Sequence, residues 1–152
     1  MGKEDKTRNF IYIDNDDFDF YQELKKSHYF NDNSIKNIDL FVFAALIGLN
    51  VVGNPVSLSN ASKKKDYIRV NDNKTKEGMV ILKALAISKF DDVNVLSDED
   101  KLFTLCEDYA NAGIKRINDW YNSNEESFDN ILTKELLKSW KTLDFDKIKN
   151  EG

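Results

Sequence analysis

The stretch from Ile38 to Leu49 constrains the fold of this chain more than any other. Apolar residues fall at Ile38, Phe41, Val42, Ala45, Leu46 and Leu49, the spacing of one helical face, while Leu40, Phe43, Ala44 and Ile47 fill the remaining sides. A helix that is apolar all round has to be enclosed by the rest of the chain, so this segment is expected as a buried central helix. The apolar run is too short to span a bilayer and is interrupted by Gly48 and Asn50. Asn33 or Ser34 is available as a cap upstream, and Gly48, Asn50 and Gly53-Asn54-Pro55 offer several ways of ending the helix.

What encloses that helix is bounded by size. The chain has 152 residues, 41% of them hydrophobic and 12% aromatic, enough for a single domain over residues 1–152 with one core. Charged residues make up 32% and the net charge is −5, away from the low-hydrophobicity, high-charge regime of disorder. No repeat of fixed period occurs, and Pro55 is the sole proline, so no proline-rich linker divides the chain. The start, Met1-Gly2-Lys3-Glu4-Asp5-Lys6, lacks the apolar stretch of a secretory leader, and a lone Cys106 fits a reducing compartment. A soluble, cytoplasmic protein without a membrane partner is expected.

The other elements read as follows. Asn9 to Asp14 is β-branched and aromatic, an extended piece; the acidic cluster after it starts a helix from about Asp17 to His28. Val56-Ser57-Leu58 and Tyr67-Ile68-Arg69-Val70 are β-prone and form either a small two-stranded ribbon or an ordered loop. A helix is expected from about Thr75 to Phe90, with Met79, Leu82, Leu85 and Ala86 on one face and Ile81 beside them. Ser97-Asp98-Glu99-Asp100 starts a long helix, with Ser97 as N-cap. The stripe of that helix is Leu102, Leu105, Cys106, Tyr109, Gly113, Ile117 and Trp120, with Glu107, Asp108, Asn111 and Lys115 mostly on other faces. Glycine at an interior helical position costs about 1 kcal/mol relative to alanine, so Gly113 on the stripe implies a close neighbour. A last helix carries Phe128, Ile131, Leu132, Leu136 and Trp140, and the tail from about Asp144 is expected to fray. The fold class is therefore mainly α, about five helices around a buried central one, with a small β-ribbon at most.

Most catalytic chemistry has no footing here. An EF-hand loop begun at Asp14 would place Phe18, Asp19 and Lys25 where a ligand, the glycine and the terminal glutamate belong. One histidine, His28, and one cysteine, Cys106, fall short of a transition-metal cluster. Cys106 lies between Leu102 and Tyr109 on an apolar stripe, where burial makes a thiol inert, and His28 sits where a cation suits a helix end. Phosphate-loop, dinucleotide and nucleophile-elbow motifs do not occur. Carboxylates are so numerous that a carboxylate nuclease has no specific signature. No catalytic residue, metal or cofactor is assigned.

The charge map is more telling. Residues 54–76 carry a local +4 inside the −5 chain, from Lys63, Lys64, Lys65, Arg69, Lys74 and Lys76, with Tyr67 among them. Lysines neutralise nucleic-acid phosphates without reading sequence, so this island suits a DNA backbone; it equally suits a solubilising loop whose lysines blunt an edge strand.

The segments Leu40 to Gly48, Leu96 to Asp100 and Glu107-Asp108-Tyr109-Ala110-Asn111-Ala112-Gly113-Ile114 resemble a small family of helical proteins, the Dnd system-associated proteins, over roughly Phe10 to Tyr121. Members are encoded beside DNA phosphorothioation and restriction genes. The resemblance implies an accessory role in DNA modification or defence, with no catalytic residue to carry over, and it leaves out the last helix. Two classes of function fit. One is a non-enzymatic accessory module touching DNA or a DNA-bound partner through Lys63 to Lys76. The other is a protein-interaction or oligomerising module without nucleic-acid contact, using aromatics such as Tyr12, Phe18, Phe20 and Tyr21.

Overall fold

The structure, a computed structural model, describes residues 6–30, 34–58, 63–123 and 125–141. The cap at Asn33 and the fraying from Asp144 lie outside these residues. Among them are five α-helices, α1 (Phe18–Lys26), α2 (Asn37–Ile47), α3 (Lys76–Phe90), α4 (Glu99–Tyr121) and α5 (Phe128–Lys141), and a two-stranded sheet of β1 (Phe10–Asp14) and β2 (Lys64–Arg69). The fold is mainly α, as the periodicity predicts. The chain falls into two compact units, Met1–Arg116 and Ile117–Gly152, divided within α4.

In the first unit α2 is the central element, with Ile38, Leu40, Phe41, Val42, Ala44, Ala45 and Ile47 buried. It packs against α1, α3 and β2. Its N-cap is Lys36 rather than Ser34; the Asp39 carboxylate accepts the Lys36 main-chain N–H at 2.9 Å, one half of a capping box. At its other end the helix widens into a π turn, Gly48–Val52, closed by Gly53 at φ +83°. The reason for Gly48 lies in α4. A Cβ at Gly48 would overlap the main-chain carbonyl of Tyr109, and one at Gly113 would overlap that of Ala44. The two backbones touch, which answers the glycine on the α4 stripe. Gly78 of α3 meets the side chain of Ile38 in the same way.

The helix starts differ in detail from the sequence reading. The N-cap of α4 is Asp98, whose carboxylate accepts the Lys101 N–H at 3.1 Å; Ser97 belongs to the preceding 3-10 turn and donates to Asn94. Helix α1 ends at Lys26, and His28 lies beyond it with its ring 3.9 Å from that of Tyr29.

The ribbon has a different partner from the one expected. β2 pairs antiparallel with β1, not with Val56–Leu58. The latter runs along α4: the Val56 N–H donates to the Asp108 carbonyl at 3.0 Å, and the Asn111 amide donates to the carbonyls of Val56 and Ser57. Between Ile11/Tyr12 and Ile68/Asp66 the register slips, and Tyr67 is the extra residue of a β-bulge. Tyr67 and Ile68 are consequently both buried.

A buried ion pair ties this ribbon to α4. The Arg8 guanidinium donates to both oxygens of Glu107, at 2.7 and 2.9 Å, and also to Asp100 and Thr104. Glu107 is 1% exposed and in addition accepts the Tyr12 N–H at 2.6 Å. Burial alone would lower the pKa of Arg8, and the carboxylates of Glu107 and Asp100 more than reverse this. Main-chain bonds between Lys6 and Ser97 and Glu99 lock the same segment to the start of α4.

The second unit holds the end of α4 and α5. Phe128 is buried and meets Tyr121 edge-on at 5.8 Å between centroids, which anchors the start of α5. Leu136 and Leu137 are exposed.

Two outcomes are expected in urea denaturation. Gly113→Ala or Gly48→Ala should cost about 3 kcal/mol or more, since backbone has to move, whereas Gly53→Ala, in open space at positive φ, should cost about 1 kcal/mol. Arg8→Met and Glu107→Leu should each cost about 3–5 kcal/mol by stranding a buried partner, and the combined Arg8→Met/Glu107→Leu variant should cost less than their sum.

Candidate nucleic-acid interface

The six residues of the basic island lie along β2 and the turn after it. Lys63 precedes the strand and is exposed, as are Lys64, Arg69, Lys74 and Lys76; Lys65 is half-buried. A strand advances about 3.3 Å per residue, so Lys64 and Arg69 are separated by roughly 17 Å. The island is therefore two groups rather than one patch.

The first group, Lys63 to Lys65, has acidic and aromatic neighbours. Lys64 pairs across the sheet with Asp14 and lies in the field of Asp108, whose carboxyl is held above its ordinary pKa by burial and by Glu107, with Lys64 opposing the shift. The Lys65 ammonium rests 4.3 Å above the ring of Phe18, a cation–π contact.

The second group lies beside the start of α2. Arg69 stands over Phe10 at 5.8 Å, Lys74 belongs to the 3-10 turn Asn73–Thr75, and Lys76 begins α3. A groove of about 280 Å³ runs here, lined by Arg69 and Lys74 together with Lys25 from α1, Lys36 at the N-cap of α2, and Asn37 and Asp72. Lys76 lines a neighbouring groove with Asn71, Met79 and Lys83. Lys25 and Lys36 lie outside the island in sequence, and the charge count by segment could not find them. They are visible only once α1 and α2 have been folded against β2.

The aromatics are not where a base-stacking surface would need them. Tyr67 is turned inward by the bulge, its ring 4.8 Å from that of Tyr21, and its hydroxyl has no hydrogen-bond partner. Burial raises both phenols above their ordinary pKa. Phe20 and Tyr21 are buried, Tyr12 is half-buried beneath Arg8, and Phe18 is half-buried beneath Lys65. The aromatics proposed as a protein-docking surface are thus core and cover residues.

A second polar cluster escaped the sequence reading. Asp14, Asp17, Glu107, Asn111 and Tyr21 converge behind β1, with Lys115 donating to Asp17 at 3.1 Å and to Asn111 at 2.7 Å. Burial raises the carboxyl pKa of Asp17, and Lys115 opposes it. The space between these groups is too small to admit a water molecule. Among the described residues, no three His, Cys, Asp or Glu side chains are grouped to hold a metal ion. The spacing Phe103, Glu107, Ala110 and Ile114 was the available clue, because it puts a carboxylate on a helical row of apolar residues. No helix among the described residues is long and apolar enough to cross a membrane.

The family of DNA sulphur modification system-associated protein 4 matches residues 11–148. The chain belongs to this family. The match takes in α5, which the resemblance drawn from Phe10 to Tyr121 left out. Neither the curated proteins nor the solved structures hold a match to this chain. Members of the family are described by their association with the modification system rather than by a reaction, and this chain is an associated protein of such a system.

Cys106 is fully buried on α4, its thiol directed at the Leu82 carbonyl at 3.6 Å, and burial pushes its pKa up to about 12 from an ordinary 9.0. Native labelling by a thiol reagent should be far slower than labelling in urea. Because the folded pKa is the higher one, this group's stabilising contribution is complete below about pH 9 and is lost as pH rises toward 12. Between pH 9 and 10, Cys106→Ala should flatten the fall in unfolding free energy by up to about 1.4 kcal/mol per pH unit.

Proposed function

We propose that this protein serves a DNA sulphur modification system as a non-enzymatic accessory component, holding DNA backbone, or a partner already on DNA, through the basic residues between Lys63 and Lys76. The family supports the setting. The observation that carries the contact is the exposure of Lys63, Lys64, Arg69, Lys74 and Lys76 on the one cationic stretch of an acidic chain. Lysine and arginine displace counterions from phosphate without reading base edges, so the contact is sequence-tolerant and salt-sensitive. An acidic molecule with a local basic surface is repelled by DNA in every other orientation, which favours one docking pose.

A second reading, docking to a protein, is favoured by the apolar side chains Val80 and Ile81, both exposed on α3. The two readings separate by salt. On a duplex, log Kd against log salt should have a slope of magnitude up to about 5 if all six basic residues meet phosphates. Reversing Lys63, Lys64 and Lys65 to Glu should reduce that magnitude by up to about 2.7 and leave helicity by circular dichroism unchanged. No binding at low salt would sink the DNA contact in favour of the protein-docking reading.

A further inference from the structure

We infer that the groove between β2 and the start of α2 is a phosphate-binding site, and that its ligand is a phosphodiester of the nucleic-acid backbone held by Lys25, Lys36, Arg69 and Lys74. This rests on the nucleic-acid reading above and assigns its anchoring point. The four cations come from α1, the cap of α2, β2 and the turn after it, so the fold brings them together from four separate segments.

What marks them is their convergence on one groove in a molecule with an excess of carboxylates. Several other cations are matched: Arg8 with Glu107 and Asp100, Lys115 with Asp17, Lys6 with Asp98. Among the described residues, none of the four groove cations forms an ion pair. Two are fixed by neutral oxygens instead, Lys25 by the Asn37 side-chain carbonyl at 3.1 Å and Lys36 by the Lys74 main-chain carbonyl at 3.4 Å. Such bonds orient an ammonium and leave its charge uncancelled. Asp72, in the groove wall, accepts the Lys74 N–H and keeps its charge, so the lining sets four cations against one carboxylate; Asp39 accepts the Lys36 N–H. Four like charges converging on one groove repel one another, and an anion seated among them converts that repulsion into attraction. The start of α2 adds positive potential of the same sign. Tyr67 completes the floor: more than nine-tenths buried, it lines the groove and its hydroxyl has no partner.

The groove, of about 280 Å³, is large enough for one phosphate with its two ester oxygens. A backbone phosphate, carrying one charge, leaves part of the cationic excess for its neighbours along the strand.

The test is fluorescence anisotropy of a labelled 20-base-pair duplex with the full chain at low salt. Lys25→Gln/Lys36→Gln should raise Kd at least about tenfold and reduce the salt slope by about 1.8, and Lys25→Arg/Lys36→Arg should bind like the parent. Parent binding that the Gln pair leaves unaltered overturns the groove while the wider DNA reading stands. An Arg pair that binds as weakly as the Gln pair also overturns it, since the charge would not be what acts. Sodium phosphate should displace the duplex no better than sodium chloride at equal ionic strength; displacement by millimolar phosphate would overturn the backbone assignment in favour of a small-anion site. Failure of the parent to bind any duplex overturns both the groove and the reading on which it rests.

Discussion

The contact on which the rest of the first unit depends is a backbone-to-backbone crossing. Gly48 and Gly113 let α2 and α4 approach until the carbonyls of Ala44 and Tyr109 occupy the volume where side chains would otherwise stand. Interiors are packed like organic crystals, so closeness at one crossing sets positions elsewhere. With α4 fixed against the end of α2, the remaining faces of α2 are left for α1, α3 and β2. The π turn at Gly48–Val52 begins at this same crossing.

This architecture was legible where the cause is local and illegible where it is not. The apolar segment from Ile38 to Leu49 announces a buried helix because no other environment accepts ten apolar side chains on all faces, and Gly113 announces a crossing because nothing else justifies glycine on a core stripe. The sheet was misread for the opposite reason. Val56–Leu58 and Tyr67–Val70 are both β-prone and near in sequence, yet the chain closes a loop of 49 residues, 15–63, to pair β2 with β1. Strand propensity says that a segment can pair and is silent about with what. Val56–Leu58 finds its main-chain partners instead on α4, where Asn111 serves two of its carbonyls.

The polar features divide in the same way. The basic island was visible as a run of charge, but its separation into a half tempered by Asp14, Asp108 and Phe18 and a half reinforced by Lys25 and Lys36 depends on tertiary neighbours. Glu107 was set apart from the apolar stripe of α4, on another face of the helix. It is instead the most consequential carboxylate of the described structure, gathering Arg8 and the Tyr12 amide from ninety-five or more residues away. Breaking such a pair is costlier than never having made it, so Arg8 and Glu107 specify where β1 attaches as much as they stabilise the attachment.

The bulge at Tyr67 has a consequence for how this chain can change over time. In an unbroken strand Lys65, Tyr67 and Arg69 would project on one side; the extra residue carries Arg69 across to the side of Lys64 and Asp66, so that it meets the groove from outside. Loss or gain of a single residue between Lys65 and Ile68 would reverse that parity, driving a guanidinium into the core or an isoleucine into solvent. The spacing within β2 is thus a reading frame of its own, in which the count of residues matters as well as their identity.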